Sequence, residues 1–262
     1  MTHLSSTSGT NGPGTAYGAG PSGGTSGPGP GAAPPPVAVT TAGLPSWITP
    51  VADAAARVEP SQMSRFLPPE DGAGRQSAVL ILFGEGRSAA DGGLGPELLL
   101  MERAGSLRSH AGQPCFPGGA LDPEDGDPRT HGPVRAALRE AEEETGLDPA
   151  GVQVFGVLPR LYIPVSGFVV TPVLGWWREP SPVRVVDPAE TASVFTVPVA
   201  HLADPAHRVT AVHPRGFRGP AFLVGQALVW GFTAGVLDRI LHFAGWERPW
   251  DRDRTVPLDW HA

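Results

Sequence analysis

The chain has 262 residues, a formal net charge of −7 and one cysteine, Cys115. The negative charge argues against a nucleic-acid-binding surface, and one cysteine cannot form a disulfide within the chain. Because no apolar stretch reaches the roughly 18 residues of a membrane span, the composition predicts a soluble cytoplasmic protein without a membrane partner.

The N-terminal segment differs in composition from the remainder of the chain. The first 45 residues are rich in Gly, Pro, Ser and Thr and contain almost no aliphatic pairs before Val37. Such a segment cannot bury enough apolar surface to offset the entropy cost of ordering. The sequence therefore predicts a disordered tail over residues 1–45 and one folded domain over residues 46–262.

Three elements are predicted before the Gly-rich centre of the chain. Residues 46–58 have the amphipathic pattern of a short helix, with Pro50 near its start. Residues 77–83 form a continuous apolar run, typical of a buried strand. Residues 97–103, ELLLMER, are predicted to form a second strand, so we expect two strands ahead of Gly118 and Gly119.

An acidic helix is predicted from the segment at 139–147, REAEEETGL. Glu140, Glu143 and Glu144 are spaced i, i+3 and i+4, so they share one helix face. Their mutual repulsion would be offset by a divalent cation, and carboxylate oxygens suit Mg²⁺ and Mn²⁺. A solvated acidic face is the alternative interpretation of the same residues. Gly146 is a natural end for this helix.

The pairing of Gly118-Gly119 with this acidic helix resembles the Nudix box. The resemblance implies an α/β/α sandwich with a mixed β-sheet and hydrolysis of a nucleoside diphosphate linked to another moiety. It also implies Mg²⁺ or Mn²⁺ bound by Glu140 and Glu144, with the Gly119 carbonyl as a further ligand. Glu143 would be a third ligand or orient the attacking water. Arg139 would orient the acidic helix through a salt bridge.

The spacing within the box departs from the family pattern. The usual box has five residues, a glutamate and seven more before its arginine, whereas 19 residues separate Gly119 from Arg139, six more. Counting from Gly119 puts Asp125 at the glutamate's place, whereas counting back from Arg139 puts His131 there. Residues 126–133 have turn composition throughout and are predicted to be a loop insertion.

The segment before the box resembles the signature of the coenzyme A diphosphatase branch of Nudix proteins. The matching residues are Leu99, Leu100, Arg103, Ala104, Arg108, Gly112, Phe116, Pro117, Gly118 and Gly119. Only Met101 departs, where the signature has threonine. Arginine forks suit phosphate oxygens, and glycines allow a close backbone approach to a ligand. The predicted substrate-binding residues are Arg103, Arg108, Gly112, Phe116 and Gly118.

Further strands and helices are predicted after the acidic helix. Strands are expected at residues 152–158, 168–176, 193–199 and 221–224, and helices at 199–204 and 228–244. Pro172 would mark an edge or bulge, and the arm after Gly245 would be irregular. Nudix enzymes often take a general base from a carboxylate outside the box, which makes Glu190 the candidate here.

The resemblance implies a substrate of the coenzyme A type, cleaved to 3′,5′-ADP and an (acyl) 4′-phosphopantetheine. Two alternatives stay open at this point. One is a Nudix hydrolase acting on another nucleoside diphosphate derivative, such as ADP-ribose or NADH; the other is a non-catalytic Nudix-fold binding module. The intact glutamates disfavour the second alternative. A homodimer is compatible with the sequence, which does not set the oligomeric state.

Overall fold

The computed structural model describes residues 37–87, 94–105, 112–214 and 216–258. The helices are α1 (Thr49–Ala55), α2 (Pro60–Met63), α3 (Gly132–Thr145), α4 (Val199–Ala203) and α5 (Gly231–Phe243). The strands are β1 (Arg75–Arg87), β2 (Leu94–Arg103), β3 (Pro114–Cys115), β4 (Gly118–Ala120), β5 (Val152–Val157), β6 (Leu161–Ile163), β7 (Phe168–Trp177), β8 (Thr191–Pro198), β9 (Arg208–Val212), β10 (Arg218–Val224), β11 (Ala227–Val229) and β12 (Thr255–Pro257).

The larger sheet is mixed, as the sequence predicts. Its described strands follow the order β3-β2-β1-β7-β5, with β4 beside β1, β6 beside β7 and β8 beside β2. β1 runs parallel to β7 and antiparallel to β2. The fold is therefore the mixed α/β architecture expected from the sequence.

Helices cover both faces of this sheet because side chains alternate along β1. Ala78 and Leu80 pack towards α3 with Ala137 and Ala141, whereas Ile81 and Phe83 pack towards α1 and α5. Successive residues of a strand point to opposite faces. The continuous apolar run of β1 thus supplies both halves of the core.

The Gly-rich segment fills a gap in the sheet. β1 and β2 pair only from Phe83 and Leu98 onward, and β3 and β4 then occupy the space between the separating strands. β3 pairs with β2, β4 pairs with β1, and the Leu80 N–H donates to the Pro117 carbonyl at 2.9 Å. This arrangement brings the Gly118-Gly119 turn under α3.

Pro172 lies inside β7 rather than at an edge or bulge, so that prediction was wrong. Its carbonyl accepts from the Leu158 N–H at 2.9 Å, and in a strand the nitrogen of a residue faces the same neighbour as its carbonyl. β6 pairs with β7 up to Val170, and β5 pairs from Val173 onward. The proline therefore occupies the junction where a missing N–H costs no ladder hydrogen bond.

A smaller sheet with the order β11-β10-β9-β12 follows in the chain. The predicted irregular arm instead supplies β12, which pairs in parallel with β9. Arg208 of β9 is fully buried, with its guanidinium 4.6 Å from the ring centroids of both Phe222 and Trp250. It pairs with Asp238 of α5, which also pairs with Arg239.

Two predicted boundaries need correction. Residues 37–45, expected in the disordered tail, contact the domain: the Thr40 N–H donates to the Val154 carbonyl at 3.0 Å, and Val37 packs against the core. Residues 1–36 lie outside the described part of the chain. Leu228, predicted on the terminal helix, belongs to β11, because α5 begins only at Gly231.

None of the helices in the described ranges combines the length and apolar character needed to cross a membrane.

Candidate active site

Gly118 fixes the position of Glu144. A Cβ atom at Gly118 would lie 2.3 Å from the Ala78 carbonyl oxygen, and φ is +154°, so only glycine fits this close approach. The Gly118 N–H donates to Glu144 Oε2 at 2.8 Å. Gly118 was predicted to contact substrate, but its N–H is already engaged by a carboxylate of the site.

Gly119 leaves room for the second carboxylate. A Cβ atom there would lie 2.4 Å from the carboxyl carbon of Glu140 and 2.5 Å and 2.6 Å from its two oxygens. Glu140 is mostly buried, with 18% of its side chain exposed. Burial raises the pKa of Glu140, and the Arg139 guanidinium opposes that rise. The Gly-Gly turn therefore seats Glu140 and Glu144 side by side.

Glu144 has the most perturbed carboxyl group of the site. Burial raises the pKa of Glu144 to about 7, against the Gly118 hydrogen bond that lowers it. The negative charges of Glu140 and Glu190 raise it further, whereas Arg103 lowers it. A carboxylate in this setting favours a neighbouring cation, because a cation stabilises its ionised form.

Arg139 donates hydrogen bonds to three carboxylates around it. Its Nε and Nη2 atoms donate to the two Asp125 carboxylate oxygens at 3.2 Å and 2.9 Å. Its Nη1 atom donates to Glu140 Oε1 at 2.9 Å and to Glu143 Oε2 at 3.1 Å. The hydrogen bonds with Asp125 do most to hold the pKa of Arg139 above its ordinary value. Arg139 therefore organises the acidic helix.

The structure distinguishes the two candidates for the first glutamate position of the box, Asp125 and His131. Asp125 is 4% exposed and forms the bidentate pair with Arg139. Its Oδ2 also accepts from the Asp122 N–H at 2.8 Å. His131 instead precedes α3 and contacts Thr130 Oγ1 at 3.1 Å. The extra residues therefore lie between Asp125 and α3, as the loop prediction had them.

Glu143 faces Arg139 rather than the Gly-Gly turn. Its side chain is 58% exposed and pairs with Arg139 at 3.1 Å. Within the described ranges, no three His, Cys, Asp or Glu side chains form a ready-made metal cluster. Glu140 and Glu144 therefore form the buried pair of the site, and Glu143 lies at its exposed edge.

The end of β2 contributes a cation besides Arg139. The Arg103 charge acts on Glu144 and on Cys115, and none of the ion pairs among the described residues includes Arg103. Glu190 lies nearby, since its carbonyl accepts from the Ala104 N–H at 2.8 Å. Within the described part of the chain, Arg103 is thus a cation near Glu144 without a carboxylate partner.

Cys115 is a site residue that the sequence analysis missed. Burial, and then the Glu144 charge, raises the pKa of Cys115 to about 12, so the thiol stays neutral at physiological pH. A signal existed in the sequence, because Cys115 is three residues before Gly118 in the matched segment. Its strand pairing opposite Met101 is visible only in the fold.

The remaining predicted substrate-binding residues differ in their placement. Phe116 was predicted to contact substrate. It is 2% exposed and packs in the core instead. Gly112 is exposed with φ +68°, and its N–H donates to the Arg103 carbonyl at 3.0 Å. Arg108 lies outside the described residues.

With this geometry established, the class of protein follows. The NUDIX domain family matches residues 75–218, more than half of the chain. The chain belongs to this family. Nudix hydrolases act on phosphoanhydride bonds and in general use divalent metal ions.

The chain is similar to curated relatives named as uncharacterized Nudix hydrolase NudL. The protein from Escherichia coli K12 is 41% identical over 149 residues, which cover 54% of this chain and 72% of the relative. The protein from Cronobacter sakazakii is 41% identical over 145 residues with the same coverage. A crystal structure of the Nudix hydrolase RenU from M. Smegmatis aligns with a TM-score of 0.41 and 21% identity, covering 69% of this chain and 95% of that one.

Proposed function

We propose that this Nudix hydrolase cleaves the diphosphate bond of coenzyme A or an acyl-CoA, giving 3′,5′-ADP and (acyl) 4′-phosphopantetheine. The observation that carries the proposal is Arg103, a cation beside Glu144 that makes no ion pair with a described carboxylate. An arginine free of carboxylates is suited to bidentate contact with phosphate oxygens. Arg103 also belongs to the segment that resembles the coenzyme A diphosphatase signature.

The buried carboxylates fit a divalent cation. Glu140 and Glu144 would hold Mg²⁺ or Mn²⁺ together with the Gly119 carbonyl, and the missing side chain at Gly119 lets the Glu140 carboxylate lie directly against that turn. When bound, such a cation neutralises diphosphate charge and lowers the pKa of a coordinated water. Glu143 would orient that water or become a third ligand after leaving Arg139.

Glu190 is the proposed general base. It is exposed just before β8, and its charge acts on Glu144. A carboxylate at this position can accept the proton of the attacking water. Arg139 keeps Glu140 in place, since it donates to that carboxylate at 2.9 Å.

Product analysis with several substrates tests the proposal. Coenzyme A, ADP-ribose and NADH would each be incubated with the protein and Mg²⁺ or Mn²⁺, and we expect 3′,5′-ADP from coenzyme A. Cleavage of ADP-ribose without cleavage of coenzyme A would overturn the substrate assignment, whereas the assignment of a diphosphatase reaction would stand. Arg103→Ala should raise KM for the cleaved substrate, whereas Arg178→Ala, at an exposed arginine paired only with Glu179, should not.

The non-catalytic alternative predicts a different result. A binding module would show a coenzyme A-dependent thermal shift in Mg²⁺ without release of product. A homodimer and a cytoplasmic location remain predictions from the sequence, to be tested by light scattering and by fractionation.

A further inference from the structure

The segment between β7 and β8 lies across the end of α3. The Asp148 N–H, just after the helix, donates to Ser181 Oγ at 3.0 Å. The Arg184 N–H donates to the Thr145 carbonyl at 2.8 Å, and a Cβ atom at Gly146 would lie 2.9 Å from Arg184 Nη1. These contacts attach the segment to the acidic helix at its C-terminus.

The same segment then forms the turn that carries Glu190. Asp187 Oδ1 accepts from the Ala189 N–H at 2.8 Å, as an aspartate does when it closes a turn with its own side chain. The Asp187 carbonyl accepts from the N–H groups of Glu190 at 3.1 Å and Thr191 at 2.9 Å. On the other side, the Glu190 carbonyl accepts from the Ala104 N–H at the end of β2, at 2.8 Å. The backbone of Glu190 is therefore held between this turn and β2.

This anchoring bears on the proposed role of Glu190. A general base has to lie within hydrogen-bond reach of the proton that it takes. Because Glu190 is exposed, packing of its side chain does not set its position, and the backbone contacts have to do so. Among those contacts, the carboxylate of Asp187 is the one that a substitution can remove.

We propose that Asp187 is a positioning residue of the diphosphate site: its side chain closes the turn that holds Glu190, the general base, between the end of α3 and the end of β2. The inference rests on the proposed function and on the general-base role of Glu190, but not on coenzyme A being the substrate. Asp187 acts through Glu190 and is not assigned a contact with substrate.

Two substitutions at Asp187 separate closure of the turn from charge. Asp187→Ala removes the acceptor and should lower kcat about three- to tenfold, as for the loss of one hydrogen bond, with KM changed less than about twofold. Asp187→Asn removes the charge but keeps an Oδ1 acceptor that closes the same turn, so it should retain the kcat of the wild type. An unchanged kcat in Asp187→Ala, or an equal loss in both variants, would overturn the inference.

The chain offers a matched control. Asp204, Pro205 and Ala206 repeat the Asp-Pro-Ala sequence of residues 187–189, and Asp204 Oδ1 accepts from the Ala206 N–H at 2.9 Å. This second turn joins α4 to β9 and has no contact with Glu190 in the proposal. Asp204→Ala should therefore leave kcat unchanged. An equal loss of kcat in Asp187→Ala and Asp204→Ala would assign the effect to general destabilisation.

A double-mutant cycle with Glu190→Gln decides whether the effect passes through Glu190. Glu190→Gln should itself lower kcat about 100-fold or more, as for the loss of a general base. In that background Asp187→Ala should change kcat less than about twofold, because the group that it positions is already absent. Equal reductions in both backgrounds would overturn the inference. Wild-type kcat in Glu190→Gln would overturn it together with the general-base assignment, while the diphosphatase reaction would stand.

Hydrogen exchange tests the positioning without turnover. In Asp187→Ala the N–H groups of Glu190, Thr191 and Ala104 should exchange about three- to tenfold faster than in the wild type, because opening of the turn exposes them. Asp187→Asn should not change these rates, and unchanged rates in Asp187→Ala would overturn the inference. If the rates rise but the wild type hydrolyses no diphosphate, the proposed function falls and the turn is only structural.

Discussion

Two regions of this molecule hold charged side chains away from water, and they balance that charge differently. Around Asp238, whose side chain is 3% exposed, both Arg208 and Arg239 supply guanidinium groups. At the Gly-Gly turn, Glu140 and Glu144 lie side by side, and burial raises the pKa of each. The first cluster places its carboxylate between two arginines of the chain, whereas the second retains an excess of negative charge.

The comparison explains which cluster is structural and which is available to a ligand. Arg208 is enclosed between two aromatic rings and Asp238, so its charge has a buried carboxylate partner within the fold. At the active site Arg139 is shared among Asp125, Glu140 and Glu143, and Arg103 is the cation that acts on Glu144. None of the ion pairs among the described residues includes Glu144, and a divalent metal ion would stabilise its ionised form.

The largest expected effect tests the charged cluster around Asp238. Asp238→Asn should lower the free energy of unfolding by about 3–5 kcal/mol, because it leaves two buried or half-buried arginines without their carboxylate. Urea denaturation measures the change. The control is Asp253→Asn at the exposed pair with Arg218, whose atoms are 3.9 Å apart; it should cost less than about 1 kcal/mol. Equal losses in the two variants would contradict the comparison.

The rate of hydrolysis tests the pair of glutamates at the Gly-Gly turn. Glu144→Gln should lower kcat by about 100-fold or more, as for loss of a group that stabilises reaction charge, while the fold is retained. Initial rates with Mg²⁺ and a thermal melt give the two readouts. Glu142→Gln, on the exposed side of the same helix, should leave the rate unchanged. An active or unfolded Glu144→Gln protein would show that the assignment of Glu144 as a metal ligand is wrong.

The uncompensated charge should also appear as pH-dependent stability. The pKa of Glu144 is raised from 4.5 to about 7 in the folded protein, so folding favours its protonated form. In metal-free buffer, stability should fall by on the order of 1–3 kcal/mol as the pH rises from about 4.5 through about 7.

Urea titrations at several pH values measure this decline. Mg²⁺ should reduce it, because the cation stabilises the ionised carboxylate, and Glu144→Gln should make it smaller than in Glu142→Gln. An identical decline in the two variants would assign it to other groups.

The smallest expected effect concerns the anchoring of Arg139. Asp125→Asn removes one side of the bidentate pair and should lower kcat/KM about 10- to 100-fold, the usual cost of losing a group that orients metal ligands. His131→Ala, at the alternative position counted from the sequence, should have little effect. A larger loss of kcat/KM in His131→Ala than in Asp125→Asn would assign the first glutamate position of the box to His131 instead.

How much of this was accessible from the sequence depends on the range of the interactions involved. The acidic helix and its end at Gly146 follow from local spacing, and α3 ends where predicted, with φ +67° at that glycine. Phe116 was misjudged because a motif does not say which face of the sheet an aromatic ring occupies. The choice between Asp125 and His131 required the fold, since the insertion made both counts equally valid.

No local pattern in the sequence indicates the charged cluster around Asp238. Arg208 and Asp238 are 30 residues apart, and charged residues are rarely buried unless paired, so a single sequence gives no reason to join them. Local periodicity predicts elements, whereas such partners are set by tertiary packing.

The loop between Asp125 and α3 has a practical consequence for engineering the protein. Its two ends are fixed, since Asp125 is anchored to Arg139 and the Gly132 N–H donates to the Asp127 carbonyl at 3.0 Å. Lengthening a loop with fixed ends costs little free energy. An epitope or lanthanide-binding peptide inserted between Pro128 and Arg129 should therefore be tolerated a few residues before α3.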